Sequence, residues 1–312
     1  MKLQKMRLGQ KIKKDARRNW VLYLMILPVL VYFIIFHYLP MLGISFAFQN
    51  YELGDGFFES EWVGFEHFAR YFEDPYLGRT VRNTLMYSLW GLLFSFPAPI
   101  VFALMLCGVK NKIFRRGIQT FSYMPYFISL VVVAGLLRSF LSPEGFIGEF
   151  FGKMGWVQED MSVLGDKRYF RGVIIISDIW QTIGFNSIIY VAAISSIDPT
   201  LYEAADIDGA NRAQKLFKIT IPSILPIIML MLTLRLGTIL NVGYDKIVLL
   251  YSGETMEVAE TIGSYVYRLG FASDIPQYSY TTAIGLFNSV LTLILLAISN
   301  FLSKKVSGYG MV

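Results

Sequence analysis

The chain has 312 residues, of which 54 % are hydrophobic, 16 % aromatic and only 16 % charged, with a mean hydropathy of +0.50, whereas soluble domains carry about 25 % charged residues. That balance describes an integral membrane protein. The net charge of +5 is concentrated in a few short segments, so it reads as a topology signal and not as a nucleic-acid surface, and the single Cys107 leaves neither a disulfide framework nor a thiolate metal site.

Residues 1–19 form a basic segment, with Lys2, Lys5, Arg7, Lys11, Lys13, Lys14, Arg17 and Arg18 against one acid, Asp15. Arg7, Lys11, Lys14 and Arg18 recur at helical spacing, so two readings stand: a basic helix on anionic headgroups or a solvated anchor. The uncharged run from Asn19 to Tyr51 exceeds the about 7–15 apolar residues of a signal peptide and has no Ala-x-Ala site, which predicts an uncleaved first span.

Crossing a ~30 Å hydrocarbon core takes about 20 mostly apolar residues in a helix. Six stretches qualify, 20–40, 84–107, 118–140, 172–194, 223–243 and 281–302, so the fold class is an all-α membrane protein with a permease domain over 20–302 and a tail at 303–312. Pro28, Pro97, Pro99 and Pro125 fall inside spans, where they kink or locally open the helix.

The 108–117 loop holds Lys110, Lys112, Arg115 and Arg116 and no acid, while 41–83 holds Glu52, Asp55, Glu59, Glu61, Glu66, Glu73 and Asp74. The positive-inside rule places the first with the N-terminus in the cytoplasm and the second outside with 141–171 and 244–280. Lys304 and Lys305 then fall inside, and both termini are cytoplasmic. In the first external loop, Phe65, Phe68, Phe72, Leu77 and Val81 have the spacing of a docked surface helix.

Between spans four and five, residues 196–222 read as two short helices. Asp198-Pro199 is a start signal, a capping carboxylate followed by proline at the first helical position. The first helix runs to about Ile207, and Gly209 supplies a left-handed turn after Asp208. The second presents Ala213, Leu216, Phe217 and Ile221 opposite Arg212, Lys215 and Lys218, and Pro222 is expected to end it. Helices below ~12–15 residues are marginal alone in water, so the pair needs a partner surface.

These residues resemble the inner-membrane component of binding-protein-dependent transport systems, the permease subunit of ABC importers. Its cytoplasmic signature is Glu-Ala-Ala, three free residues, Gly, nine free residues, Ile, one free residue, Leu-Pro. Glu203-Ala204-Ala205, Gly209, Ile219 and Ile221-Pro222 fall in register, with Ile221 in place of Leu. The resemblance implies that Glu203, Ala204, Ala205, Asp208, Gly209, Phe217, Ile219 and Pro222 belong to coupling helices that dock on an ATPase. No Gly-x-x-x-x-Gly-Lys-Ser/Thr loop is present, so ATP and magnesium are expected on that partner, and the chain is not read as an enzyme. His37 and His67 join no recognisable metal or catalytic set.

Leu39-Pro40, Trp62-Val63-Gly64-Phe65, Asp74-Pro75, Asn83-Thr84, Tyr244-Asp245-Lys246-Ile247 and Gly253 look like maltose-type carbohydrate permeases. The long basic N-terminus and Phe48-Gln49-Asn50-Tyr51 resemble most those for polysaccharide-derived oligosaccharides. That resemblance implies a bacterial inner-membrane complex with a second, homologous permease, two ATP-binding subunits and an extracytoplasmic substrate-binding protein.

Sugar sites combine aromatic faces with amides and carboxylates. Asp178, Trp180, Gln181, Asn186 and Tyr190 in span four, and Arg235, Asn241, Tyr244 and Asp245 in and beyond span five, are the candidate cavity residues. Asp178 and Arg235 lie ~24 and ~18 Å above the cytoplasmic ends of their helices at 1.5 Å per residue, depths that permit a pair. A charge at such a depth faces a cavity or a counter-charge, so the two residues either line the pathway or form a structural ion pair. Two other classes remain, an ABC permease for a non-sugar solute and an ion-coupled secondary transporter. The latter needs coupling machinery in its own spans, commonly as inverted repeats, and no duplication is visible.

Overall fold

The computed structural model describes residues 15, 17–52, 54, 56, 59–158, 160–241 and 243–307; the basic positions Arg7, Lys11 and Lys14 lie outside these. Among the described residues, six helical segments are long and apolar enough to cross a membrane: Trp20–Phe48, Leu77–Cys107, Leu130–Lys153, Lys167–Ser195, Arg212–Leu236 and Tyr278–Ala297. The helix of the sixth runs on to Ser307. The chain divides into two compact units, residues 1–69 with 277–283, and residues 70–276 with 284–312.

In the first unit, Trp20–Phe48 buries almost none of its apolar side chains, which suits a helix whose solvent is lipid. It outruns the predicted 20–40 because a π-turn at Ile34–Tyr38 and a 3-10 turn at Leu42–Phe48 carry it past Pro40. Gln49–Asn50 then pairs antiparallel with Glu61–Trp62. Phe48 packs on the Trp62, Phe65 and Phe68 rings, and the buried His67 ring meets the Gln49 carbonyl at 3.1 Å. Of the predicted phenylalanines, Phe68 is half-buried against Phe48, whereas Phe65 touches Phe48 but stays largely exposed, and His67 is the buried position at the start of the helix Glu66–Glu73.

The second unit holds the hydrophobic core, built from Tyr87, Ala134, Leu141, Val163, Phe170, Ile174, Ile247, Leu250 and Ala259. Residues 244–270 do not form a loose loop. Their helices Tyr244–Leu250, Met256–Ala259 and Ile262–Gly270 are held by polar side chains of spans two and four. The Asn83 amide donates to the carbonyls of Glu257 and Glu260, both at 2.9 Å, and Arg171 donates to Asn83 Oδ1 at 2.7 Å and to the Val258 carbonyl at 3.2 Å. Glu260, fully buried, is shared by Arg79 and Arg268. Desolvated polar groups are tolerable only when so satisfied.

Boundaries of the other spans differ from expectation as well. Span two begins at Leu77, ahead of 84, because Thr80, Asn83 and Thr84 face the protein and escape lipid. The predicted span 118–140 is broken: Lys112–Tyr123 ends in a 3-10 turn at Met124–Phe127, where Pro125 has no N–H to continue the ladder, and Leu130–Leu141 starts afresh with Ser129 as its cap. Span four starts at Lys167, capped by Asp166. The predicted 223–243 ends at Leu236 and continues as a 3-10 turn at Ile239–Asn241.

Pro222 does not end the second cytoplasmic helix. Arg212–Lys215 passes through a π-turn at Leu216–Thr220 straight into Ile221–Leu236. The wider turn removes the demand for a Pro222 N–H and relieves the ring's clash with the preceding turn.

Candidate functional site: a polar cavity and a cytoplasmic helix pair

Asp178, Thr182, Asn186 and Tyr190 recur every four residues, which sets them on one face of the 29-residue helix Lys167–Ser195. That face meets Met231, Leu234, Arg235 and Thr238 of span five and Ser95, Phe96 and Pro99 of span two around a cavity of about 280 Å³. Ser95 closes a π-turn at Gly91–Ser95, immediately before Phe96-Pro97; turns of this kind occur frequently at functional sites. Ser95 is 9 % exposed, and its hydroxyl has no hydrogen-bond partner among the described residues.

Of the candidates named from the sequence, Asp178, Asn186, Tyr190 and Arg235 line this cavity. Asp178 and Arg235 share it without forming an ion pair among the described residues. Trp180 is two residues, more than half a turn, away from Asp178, and it lines a separate apolar cavity of about 360 Å³ with Trp90, Phe151 and Tyr169. Gln181 donates its amide to the Ile128 carbonyl at 3.3 Å. The side chain of Asn241 lies outside the described residues.

Gly243, with φ 62°, starts the helix Tyr244–Leu250, whose phase buries Lys246, Ile247 and Leu250 and turns Tyr244 and Asp245 outward. The Asp245 carboxylate beside Tyr244 pushes the phenol pKa up. Lys246, 5 % exposed, is the residue sequence reasoning missed. Its Nζ lies 3.5 Å from Ser177 Oγ; burial pushes its pKa down, and the charge of Asp178 opposes that shift. The available signal was its position, one residue before Ile247 and four before Leu250, on the apolar face of a short helix.

At the other end of spans four and five, Pro199–Ile207 begins at Asp198, whose side chain accepts from Thr200 N at 2.9 Å. That backbone N–H holds the Asp198 carboxyl below its usual range. The helix stops at Asp208, and Gly209, with φ 72°, turns the chain. Asn211 and Gln214 form a reciprocal capping box that starts the second helix. The two helices are tied by Tyr202 Oη to Thr220 Oγ1 at 2.9 Å and by a Lys215–Asp206 ion pair.

Ala205, Asp208, Gly209, Lys215, Lys218 and Ile219 border a hollow of about 350 Å³ in the crook of the bend. The outer surface is exposed at Leu201, Glu203, Ala204, Ile207 and Phe217, with Ile207 at 88 % and Phe217 at 66 %. Phe217 therefore presents its ring outward, while its neighbour Leu216 is half-buried. Among the described residues no group of His, Cys, Asp and Glu is arranged to hold a metal.

Comparison with known proteins gives the family. Residues 95–308 match the family described as "Binding-protein-dependent transport system inner membrane component". Protein LplB of Bacillus subtilis is 40 % identical over 95 % of this chain and 92 % of its own length. The polygalacturonan/rhamnogalacturonan transport system permease protein YteP of the same organism is 40 % identical over 96 % and 94 %. A solved structure of a bacterial ABC transporter involved in import of the acidic polysaccharide alginate contains a chain that superposes with a TM-score of 0.87 at 42 % identity, covering 95 % of this chain and 99 % of that one. A second structure of such an alginate transporter, in complex with an alginate pentasaccharide-bound periplasmic protein, gives 0.86 at 42 % identity. The chain belongs to the family of binding-protein-dependent transport system inner-membrane components and is a multi-pass inner-membrane permease subunit.

Proposed function

We propose that the chain is the permease of an ATP-driven importer for oligosaccharides, that it forms half of the translocation pathway, and that 199–215 is its coupling surface. The observation that carries this reading is the unbroken helical run Arg212–Leu236. It joins the exposed helix pair at one end to Arg235 in the polar cavity at the other, about 30 Å away at 1.5 Å per residue. Span four enters the same pair from its other side and carries Asp178, Asn186 and Tyr190. A force on the helix pair is delivered to two walls of the cavity.

Exposed Ile207 and Phe217 beside the carboxylate of Glu203 suit an ATPase groove with an apolar floor and a basic rim. ATP and magnesium are held by that partner, present as two subunits. A second, homologous permease completes the pathway, since a 280 Å³ cavity is smaller than an oligosaccharide. The periplasmic protein named with the alginate transporter supports a binding protein that delivers the sugar to the outer segments, with both termini of this chain in the cytoplasm. Membership of the importer family removes the ion-coupled alternative.

The test is reconstitution with the partner subunits and binding protein in liposomes, following ATP hydrolysis as oligosaccharides are added. Stimulation by an oligosaccharide supports the proposal, and stimulation by peptide or metal alone refutes it.

A further inference from the structure

Arg235 is a permanent cation at membrane depth, half-buried and lining the polar cavity, and among the described residues it forms no ion pair. A guanidinium there is costly unless it faces water or an anion. Asp178 is the one carboxylate among the described residues lining the cavity, and its charge also acts on the buried Lys246, whose ammonium hydrogen-bonds to Ser177 Oγ at 3.5 Å and to no carboxylate among the described residues. Two cations thus stand against one carboxylate, and the cation facing the open volume is the one left without a partner.

The rest of the lining is what a sugar ring needs. The Ser95 hydroxyl, nine-tenths buried and unbonded, together with Thr182, Asn186 and Tyr190 presents donors and acceptors for hydroxyl groups, and Phe96 and Met231 present apolar faces. Arg presents its donors in a planar fork that matches a carboxylate.

We infer that the cavity admits one uronosyl residue of an acidic oligosaccharide at a time, with Arg235 taking its carboxylate and Asp178, Ser95 and Asn186 its hydroxyls. This rests on the importer reading above and deepens it from carbohydrate to polyanionic carbohydrate. Arg235 becomes a specificity-determining residue, because a neutral hexose leaves its charge unmatched inside the membrane and is disfavoured by that unpaired group.

The experiment uses the full transporter with its binding protein in proteoliposomes. It compares uptake of an oligogalacturonate with uptake of its methyl ester, each presented at a concentration that saturates the binding protein. The acid-to-ester uptake ratio is measured in the unaltered protein and in Arg235→Gln and Arg235→Lys. The expected result is a ratio that falls by about tenfold or more in Arg235→Gln, the scale of one charge-assisted contact, and is mostly retained in Arg235→Lys. Equal ratios in the unaltered protein and Arg235→Gln overturn the assignment while leaving an oligosaccharide importer standing. Uptake of neither glycan by the unaltered protein, with import of a non-sugar solute, overturns both.

Discussion

Arg268 Nε stands 2.7 Å from Glu260 Oε1, and Arg79 takes the other oxygen of the same buried carboxylate. Glu260 therefore joins span two to the outer helix Ile262–Gly270, and its backbone carbonyl receives the Asn83 amide besides. Removing one member of such a cluster leaves charges without partners in a desolvated place. Glu260→Ala is expected to cost roughly 3–5 kcal/mol, and Glu260→Gln less, because the amide oxygen still accepts. Thermal unfolding in detergent ranks the two; equal midpoints for the alanine variant and the unaltered protein would remove Glu260 as a staple.

Acid should loosen the start of span four. Asp166 caps Lys167–Ser195 by accepting from Arg168 N at 2.8 Å and pairs with the Arg168 guanidinium, which holds its carboxyl below the usual range. A carboxyl lowered by folding contributes stability that is fully present above its unfolded pKa, about 3.9, and is lost as pH falls through the lowered folded value. Amide exchange of residues 163–172 should be flat with pH above that point, after correction for intrinsic rates, and should accelerate below it. Asp166→Asn keeps a capping oxygen and should abolish this acid limb; an unchanged limb in the variant would assign it to another group.

Gly209 sits at φ 72° with nothing within 4 Å of where a Cβ would be, so any penalty at this position is one of backbone conformation alone. A β-branched residue in the left-handed region is strained by about 1–2 kcal/mol, whereas Asn enters it readily. Gly209→Val should uncouple ATP hydrolysis from uptake, and Gly209→Asn should retain coupling. Equal coupling in both variants would show that the bend tolerates another geometry.

At Gly184 the constraint is contact. An added Cβ would lie 2.1 Å from the Ser122 carbonyl oxygen, where span four crosses Lys112–Tyr123. Backbone cannot give way as a side-chain tip can, so Gly184→Ala should destabilise by about 1–3 kcal/mol through overpacking. Gly172→Ala, on the same helix with open space around it, is the matched control and should be near neutral. Ala is the better helix former, so propensity alone would raise both midpoints; a Gly184→Ala midpoint no lower than that of Gly172→Ala would remove packing as the constraint.

The spans were legible because lipid imposes one requirement on some twenty consecutive residues, and the bend was legible because Asp198-Pro199 and Gly209 are local signals. The Pro125 break and the passage of helix through Pro222 were not. A proline states only that one N–H is missing, and whether a 3-10 turn, a π-turn or an end absorbs the loss depends on packing. In the cavity, the four-residue spacing of Asp178, Asn186 and Tyr190 was readable and would have set Trp180 aside. Lys246 and Ser95 were not picked out, because a lysine in an external segment and a serine in an apolar span are both ordinary until the chain folds back over them.

Asp178 was open to two readings, a structural ion and a lining residue of the pathway, and its position beside Lys246 lets a mutant cycle separate them. Asp178→Asn leaves the Lys246 ammonium buried without its counter-charge, so it should destabilise strongly. Lys246→Met leaves the carboxylate facing a polar cavity and should cost less. In the double variant the buried charge is gone, and much of the loss in Asp178→Asn should be recovered, with a coupling energy of about 0.5–3 kcal/mol for two neighbours. Transport behaves differently if Asp178 also takes substrate hydroxyls: the double variant should regain its unfolding midpoint and remain defective in uptake. Recovery of both would make Asp178 a structural counter-ion and leave the cavity chemistry to Arg235, Asn186 and Ser95.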